Sequence, residues 1–448
     1  MTRGRPAKRI LLFTLPLLIG NIFQQFYSMA DTLIVGRTLG VTALAAVGCT
    51  GSISFLILGF AQGLTAGLSI VTAQRFGAQD TDGVRRSFAV SILISAATTV
   101  ALTAASVLLA GNILVWMHTP ADLTGGAYDY IIVILGGIAA SMFFNLFSNI
   151  LRALGDSRTP LLLLVAACVL NILLDFVFIL VFHMGVAGAG WATVLSQAVS
   201  CAGCVAVIAR KFPLLHIRRT DWRCSRRELL DHCRTGFPMG FQSSIIAIGA
   251  IAIQFALNTL GSTAVAAYTA AGKIDQIATQ PMMSFGMTMA TYSAQNYGAG
   301  RVRRISQGVR QCLLMSVLFS VGMGALVILL GKPMVRLFVG GAPEVIDLAQ
   351  VYLVINGVPY FLLAVLFVVR YTLQGLGQSM VPTIAGVMEL LMRILAASVL
   401  VRSFGFAGAS ASNPLAWLGS VVVLLAAYFY VMRRLRREFP EDPPAAPV

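Results

Sequence analysis

Two carboxylates fall inside stretches of this chain that are otherwise hydrocarbon. Asp31 sits in "FQQFYSMADTLIVGR" (23–37) and Asp175 in "NILLDFVF" (171–178). Polar residues gather around them at helical spacing. Gln24, Tyr27 and Asp31 are three and four apart, Asn171 precedes Asp175 by one turn, Asn145 and Ser148 are three apart, and Thr193 lies in a further apolar run. Residues so spaced share a helix face. Carboxylates, amides and hydroxyls converging in dry surroundings can bind a hard cation through oxygen ligands, or hold a carboxyl group in its protonated form. Either gives a site that loads and releases positive charge. Gln24 and Thr193, taken singly, fit hydrogen bonds between helices equally well.

The elements that must position these groups are membrane helices. Of 448 residues, 58% are hydrophobic and only 11% charged, against roughly 25% charged in soluble domains. Apolar runs of about 20 residues, long enough to cross a bilayer core, are expected at 10–36, 46–72, 87–111, 127–151, 161–182, 187–209, 236–260, 270–294, 310–331, 346–371, 382–402 and 407–432. The first is read as a span and not a signal peptide, being long, partly polar and without a small-residue cleavage pattern. With the N-terminus inside, 25 Lys and Arg residues fall on cytoplasmic segments and five outside. That bias predicts cytoplasmic termini in a plasma-membrane protein. The longest basic stretch, 210–234, reads as an amphipathic segment against anionic headgroups. Nucleic acid is excluded as a partner, since the net charge of +15 is accounted for by this bias.

The chain also repeats itself. "ILRALGDSRTP" (150–160) matches "TLQGLGQSMVP" (372–382) at five of eleven positions, and Pro16 pairs with Pro238, both at an offset of 222. "LGVTALAA" (39–46) pairs with "LGSTAVAA" (260–267), and "TAQRFGA" (72–78) with "SAQNYGA" (293–299), at 221. Six spans return the chain to its starting side, so the halves are parallel repeats, an arrangement that recurs in transporters. The expected fold is an all-α integral membrane protein of twelve helices in two six-helix lobes about a central cleft. Its parts are an N-lobe (1–209), a basic cytoplasmic loop (210–234), a C-lobe (235–435) and a short Pro-rich tail (436–448).

Asp31 and Asp175 have apolar repeat counterparts, Ala252 or Ile253 and Ala397. A pair confined to one half points to a task done once. An intramembrane acid costs roughly 2.5–3.5 kcal/mol even on lenient scales, so function is its default reading. Other buried charges have blander accounts. Glu389 and Arg393, four apart, can pair along one helix face, although Arg393 also aligns with Asn171 and can line a cavity. Arg370 can snorkel to the interface. Lys273 and Asp275 are two apart, do not face each other, and are expected near the outer mouth. Cys201 and Cys204 read as packing residues, and Phe241, Met282, Met283, Phe285 and Met287 as core or as a soft apolar cavity wall.

"LPLLIGNIFQQFYSMADTLIVGRTLGVTALAAVG" (15–48), "ILRALGDSRTP", "NILLDFVFILVFHMGVAGAGWATVLSQ" (171–197) and "AVAAYTAAGKIDQ" (264–276) together resemble the multidrug and toxic compound extrusion (MATE) family. The resemblance spans about residues 7–435 and implies a secondary antiporter exporting mostly cationic, lipophilic compounds against protons or sodium ions. It implies a coupling site at Asp31, Asn171, Asp175 and Thr193, with Tyr27 and Asn145 on polar positions of that site; Gln24, Ser148 and Arg393 are read from spacing and the repeat as further lining of the polar cavity. No acid stands in 236–260, so the C-lobe coupling scheme of another branch of that family does not carry over. A flippase for lipid-linked saccharides is the alternative. An enzyme is not expected: no nucleophile and base cluster appears, and His118, His183, His216 and His232 have no metal spacing. No cofactor beyond the coupling ion is expected, and the protein is expected to act as a monomer.

Overall fold

The computed structural model describes residues 1–117, 119–340 and 342–439. The Pro-rich tail beyond Phe439 and His118 lie outside the described residues. Among those described there are helices and turns and no strands.

Apolar runs make the helices, and the glycine-bearing joints between them repeat with the sequence. The first half holds α1 (Pro6–Thr38), α2 (Val41–Gly77), α3 (Thr81–Trp116), α4 (Ala121–Gly136), α5 (Ile138–Ala153), α6 (Arg158–Phe176) with a π-helical turn at Val177–Val181, and α7 (Gly185–Lys211). The second holds α8 (Arg226–Asn258), α9 (Ser262–Gly298), α10 (Val302–Val339), α11 (Pro343–Gly357), α12 (Tyr360–Gly375), α13 (Met380–Leu395) with a π-helical turn at Ala396–Leu400, α14 (Val401–Ser410) and α15 (Ser412–Glu438). Left-handed glycines recur at the repeat offset, Gly40 with Gly261 (φ 90° and 94°) and Gly155 with Gly377 (φ 94° and 79°), because only glycine enters that region freely.

Among the described residues nine single helices are long and apolar enough to cross a membrane, and the bent pairs α4–α5 (45°) and α11–α12 (50°) bring the number to eleven. The twelfth expected span is α9. It is 37 residues long but more polar, and its polar residues Gln280, Ser284, Thr288, Ser293, Gln295 and Asn296 are buried. A helix enclosed by its neighbours does not need the hydropathy of a lipid-facing one. Most of the helices run longer than the expected spans at both ends; the exceptions are α6 with its π-helical turn, ending at Val181, α8, ending at Asn258, and α15, beginning at Ser412.

By compactness the chain divides into Ile19–Ser243 and a second unit of Met1–Leu18 with everything from Ser244 on. The breaks therefore fall inside α1 and α8, soon after Pro16 and Pro238, and not in the 210–234 loop. That loop is folded onto the first unit. Leu215 is buried in its core, Asp221 pairs with Arg85 at 3.4 Å, and His232 meets the Ser87 hydroxyl at 2.8 Å. The His232 Nδ1 faces the Glu228 carbonyl at 2.7 Å, so the ring donates there and its Nε2 accepts from Ser87.

Small residues let α2 and α8 cross closely in the Ile19–Ser243 unit. Gly63 and Gly67 on α2 face Gly236 and Gly240 on α8, two Gly-x-x-x-Gly ladders in contact. A Cβ on Gly63 would stand 2.4 Å from the Met239 carbonyl oxygen, and one on Gly67 2.6 Å from the Gly236 Cα. Where lipid is as apolar as the side chains, such close backbone packing replaces the hydrophobic effect as the source of association. Gly67→Val is expected to lower the melting temperature of detergent-solubilised protein clearly, while Gly111→Val, where a Cβ meets nothing within 4 Å, is expected to leave it near wild type.

At the α2–α3 joint Asp80 caps α3. Its Oδ1 accepts from the Gly83 N–H at 2.8 Å, and its Oδ2 from Arg75 Nη1 at 3.1 Å. The Gly83 N–H, reinforced by Arg75, holds this carboxyl below its ordinary pKa of 3.8. A depressed folded-state pKa means the stabilisation is complete above the unfolded value and is lost as pH falls through the folded one. Asp80→Ala is expected to cost about 1 kcal/mol at pH 7, and the difference from wild type to shrink in thermal melts as pH falls below the ordinary value of 3.8 and through the lower folded one.

Candidate functional site

Four helices of the Ile19–Ser243 unit converge on the two acids. The second half of α1 carries Tyr27 and Asp31, α6 carries Asn171 and Asp175, α7 carries Thr193, and α4 carries Tyr130. A small apolar cluster beneath them, Ile34 and Val35 with Ile179 and Ala189, ties α1 to the π-helical turn after α6 and to α7. The break between α4 and α5 seats α7. A Cβ on Gly137 would lie 2.3 Å from Val194 Cγ2, so glycine there lets α7 close in one residue from Thr193.

Asp175 and Asn171 are fully buried, and Asp31 is half-buried. The Asp31 and Asp175 carboxyl groups lie within hydrogen-bonding reach of each other. Asn171 steadies the pair. In the amide orientation that satisfies both ends, its Nδ2 donates to Asp175 Oδ2 at 3.0 Å and its Oδ1 accepts from the Thr193 N–H at 3.1 Å. The Tyr27 hydroxyl donates to Thr193 Oγ1 at 3.2 Å. One oxygen of each acid, Asp31 Oδ1 and Asp175 Oδ1, is buried without a hydrogen-bond partner.

Two bare carboxylates in contact repel each other. A proton held between them, or a cation bridging them, removes that repulsion and satisfies the orphaned oxygens. The donor set of two carboxylates, an amide and hydroxyls suits a hard cation. The interruption of helical geometry at Val177–Val181, two residues beyond Asp175, is a feature that π-helical turns often share with functional sites.

Asp31, Asp175, Asn171, Thr193 and Tyr27 are thus brought together. Gln24 stands exposed and does not join them. Asn145 donates back to the Ser141 carbonyl of its own helix at 2.8 Å. Ser148 is buried against Cys204, 4.0 Å between Oγ and Sγ. Asn145 thus turns back onto its own helix, and Ser148 meets α7 through a weak O–H···S contact. Tyr130 is the residue the spacing did not single out. It lies beside Asp31 and Asp175, and its signal was a lone hydroxyl in the apolar run "YIIVILGG" (130–137).

The second unit holds acids of its own, Asp275 and Glu389, each with a partner. Asp275 accepts from the Tyr360 hydroxyl at 2.6 Å and from Tyr352, while Lys273 beside it is exposed. Glu389 does not pair with Arg393 along α13. It pairs with Arg370 of α12, and Arg370 is 5% exposed and so does not snorkel. The physical reason is reach: α12 presents its guanidinium directly to Glu389, with Ser420 of α15 accepting from Arg370 Nη2 at 3.1 Å. Arg393 belongs to this second unit. Met282 and Phe285 are packed in the core, and Phe241 is exposed against Phe60. What is particular to the first unit is two acids in contact, with no ion pair to either among the described residues.

The MatE family profile matches this chain twice, over residues 16–177 and 238–399. Both limits of the second match stand 222 residues beyond those of the first. The probable multidrug resistance protein YpnP of Bacillus subtilis (strain 168) is 30% identical over 354 residues, 79% of this chain and 78% of that protein. The FAD transporter of Shewanella oneidensis is 24% identical over 407 residues, 87% of each chain. The solved outward-facing conformation of a multidrug resistance MATE family transporter of the MOP superfamily superposes with a TM-score of 0.90 over 97% of this chain and 98% of that one; at 24% identity it speaks for the fold.

Proposed function

This chain belongs to the MatE family of membrane transporters, and from that premise and its acid pair we propose that it is a secondary antiporter exporting small, lipophilic, mostly cationic organic compounds in exchange for protons or sodium ions. The contact between Asp31 and Asp175, each with one buried oxygen unpartnered, carries the reading. An ion entering from outside occupies the pair. Loading it neutralises the repulsion between the α1 and α6 acids and lets the α1 segment from Tyr27 to Asp31 draw toward α6 and α7. Cargo affinity then falls, and by linkage cargo weakens ion binding by the same factor. The return of the empty carrier completes the cycle, with the ion gradient setting its direction.

A flippase is the less favoured reading, since multidrug export is what the relatives' names support. The named cargo of one relative, FAD, bears phosphates, so cations need not exhaust the cargo class. Residence in the plasma membrane with both termini cytoplasmic follows from the basic bias of alternate loops, and a monomer suffices because both halves of the repeat lie in one chain. The test is efflux of a fluorescent organic cation from proteoliposomes under separately imposed proton and sodium gradients. Efflux driven by one of them is expected. Leakage at the same rate under either gradient and under none would overturn antiport.

A further inference from the structure

We propose that Arg393 is an anion subsite for cargo, receiving the carboxylate or phosphate of an exported aromatic amphiphile. The inference rests on the chain being an exporter and extends its cargo to anionic and zwitterionic compounds. Arg393 lies near the middle of the candidate span Met380–Ser410, where a charged group is expensive and is normally paired or set beside a solvated path for substrate or ions. Its natural partner is taken: Glu389, one turn earlier, pairs with Arg370. Asp275 is engaged by Tyr360 and Tyr352. Among the described residues no carboxylate lies within ion-pair distance of Arg393.

A guanidinium has five N–H donors in a fixed fork. Here one is used, from Nη1 to the Ile246 carbonyl at 3.2 Å, and the buried Nε has no partner. The side chain does not escape to lipid. It lies over Gly249 of α8, where a Cβ would stand 3.1 Å from its Cδ and 3.2 Å from its Nη1. Tyr268 of α9 and Tyr352 of α11 are its neighbours, packed edge to face at 4.8 Å. A seated guanidinium with spare donors beside two aromatic rings suits a planar anion with a ring system attached. Arg370, already neutralised by Glu389, is the other nearby cation.

Two rhodamines differing only in whether one carboxyl is free or ethyl-esterified form the probe pair. Equilibrium binding to detergent-solubilised protein and efflux from neutral-lipid proteoliposomes are measured for wild type, Arg393→Gln, Arg393→Lys and Gly249→Ala. Arg393→Gln is expected to weaken the free acid about 10- to 100-fold and the ester by less than about twofold, with Arg393→Lys intermediate. Gly249→Ala, which displaces the fork but keeps the charge, is expected to weaken the acid selectively as well. Equal loss of both dyes in Arg393→Gln and Arg393→Lys would make the residue structural and overturn the subsite. So would wild-type affinity for the ester alone, although export of cations would then stand. Arg-dependent binding of the acid without gradient-driven efflux would sink antiport and leave the subsite. If Arg393 held anionic lipid instead, phosphatidylglycerol would co-purify with wild type and not with Arg393→Gln, with dye binding unchanged between them, and the cargo assignment would fail.

Discussion

Asp31→Asn is expected to abolish the dependence of efflux on an ion gradient and to weaken cargo binding even without one. An asparagine at this position leaves one charge at the pair and can donate to Asp175, so it imitates the loaded site. In the unloaded protein the two acids cannot both be bare and unpaired at contact distance without a cost that loading removes, and that cost is what cargo affinity is traded against. Reciprocal coupling of ordinary size, about 1–3 kcal/mol or 5- to 150-fold, should therefore disappear: cargo affinity in Asp31→Asn is set low and no longer responds to pH or sodium. Asp175→Asn removes the acid that Asn171 holds and is expected to uncouple as well, with its carbonyl still able to accept from Asn171 Nδ2. The measurement is cargo binding at equilibrium across pH and sodium titrations, alongside proteoliposome efflux. Gradient-driven efflux at wild-type rate in both variants would show that the pair is not where ion and cargo are exchanged. Tyr130→Phe separates a positioning contribution from a charge: with the ring kept and the hydroxyl gone, ion affinity is expected to shift while coupling persists.

Much of this was legible in the residues. The repeat could be read because it is written in turn chemistry: Gly155 and Gly377 take the same left-handed conformation at the ends of matching helices, and a constraint that only glycine meets keeps its letter. The acid cluster could be read because the price of an acid in hydrocarbon leaves few bland explanations for Asp31 and Asp175. Helix spacing was a poorer guide. It says which residues share a face but not what the face meets: Asn145 bonds back to Ser141 of its own helix and Ser148 meets Cys204 of α7, contacts that spacing does not show. The unit boundaries were hidden for another reason. Composition marks 210–234 as a linker, whereas Arg85 and Ser87, distant in sequence, bind that loop to the first unit and leave the division to fall within continuous helices.

The pairing of Glu389 was also out of reach, because Arg393 at i+4 and Arg370 on another helix compete for one carboxylate and only tertiary packing decides. The outcome makes a large and specific stability prediction. Arg370 and Glu389 are both almost wholly enclosed, with Ser420 as a further acceptor. Removing one member leaves the other charged and uncompensated, which typically costs about 3–5 kcal/mol, whereas replacing both by apolar residues of similar size is often neutral. Arg370→Met and Glu389→Leu are each expected to lower thermal stability in detergent severely, and the double variant to recover most of it. A double-mutant cycle on unfolding midpoints should give a coupling comparable to the single losses. Glu389→Leu also exposes a choice: the freed Arg370 becomes a second unpaired cation in the unit that holds Arg393, so retained acid-dye selectivity in the double variant, with its loss only on altering Arg393, would separate the packing pair from the cargo-facing guanidinium. Should the double variant instead be as unstable as either single one, the pair contributes through its fit to α15, and Ser420→Ala would then carry a comparable cost.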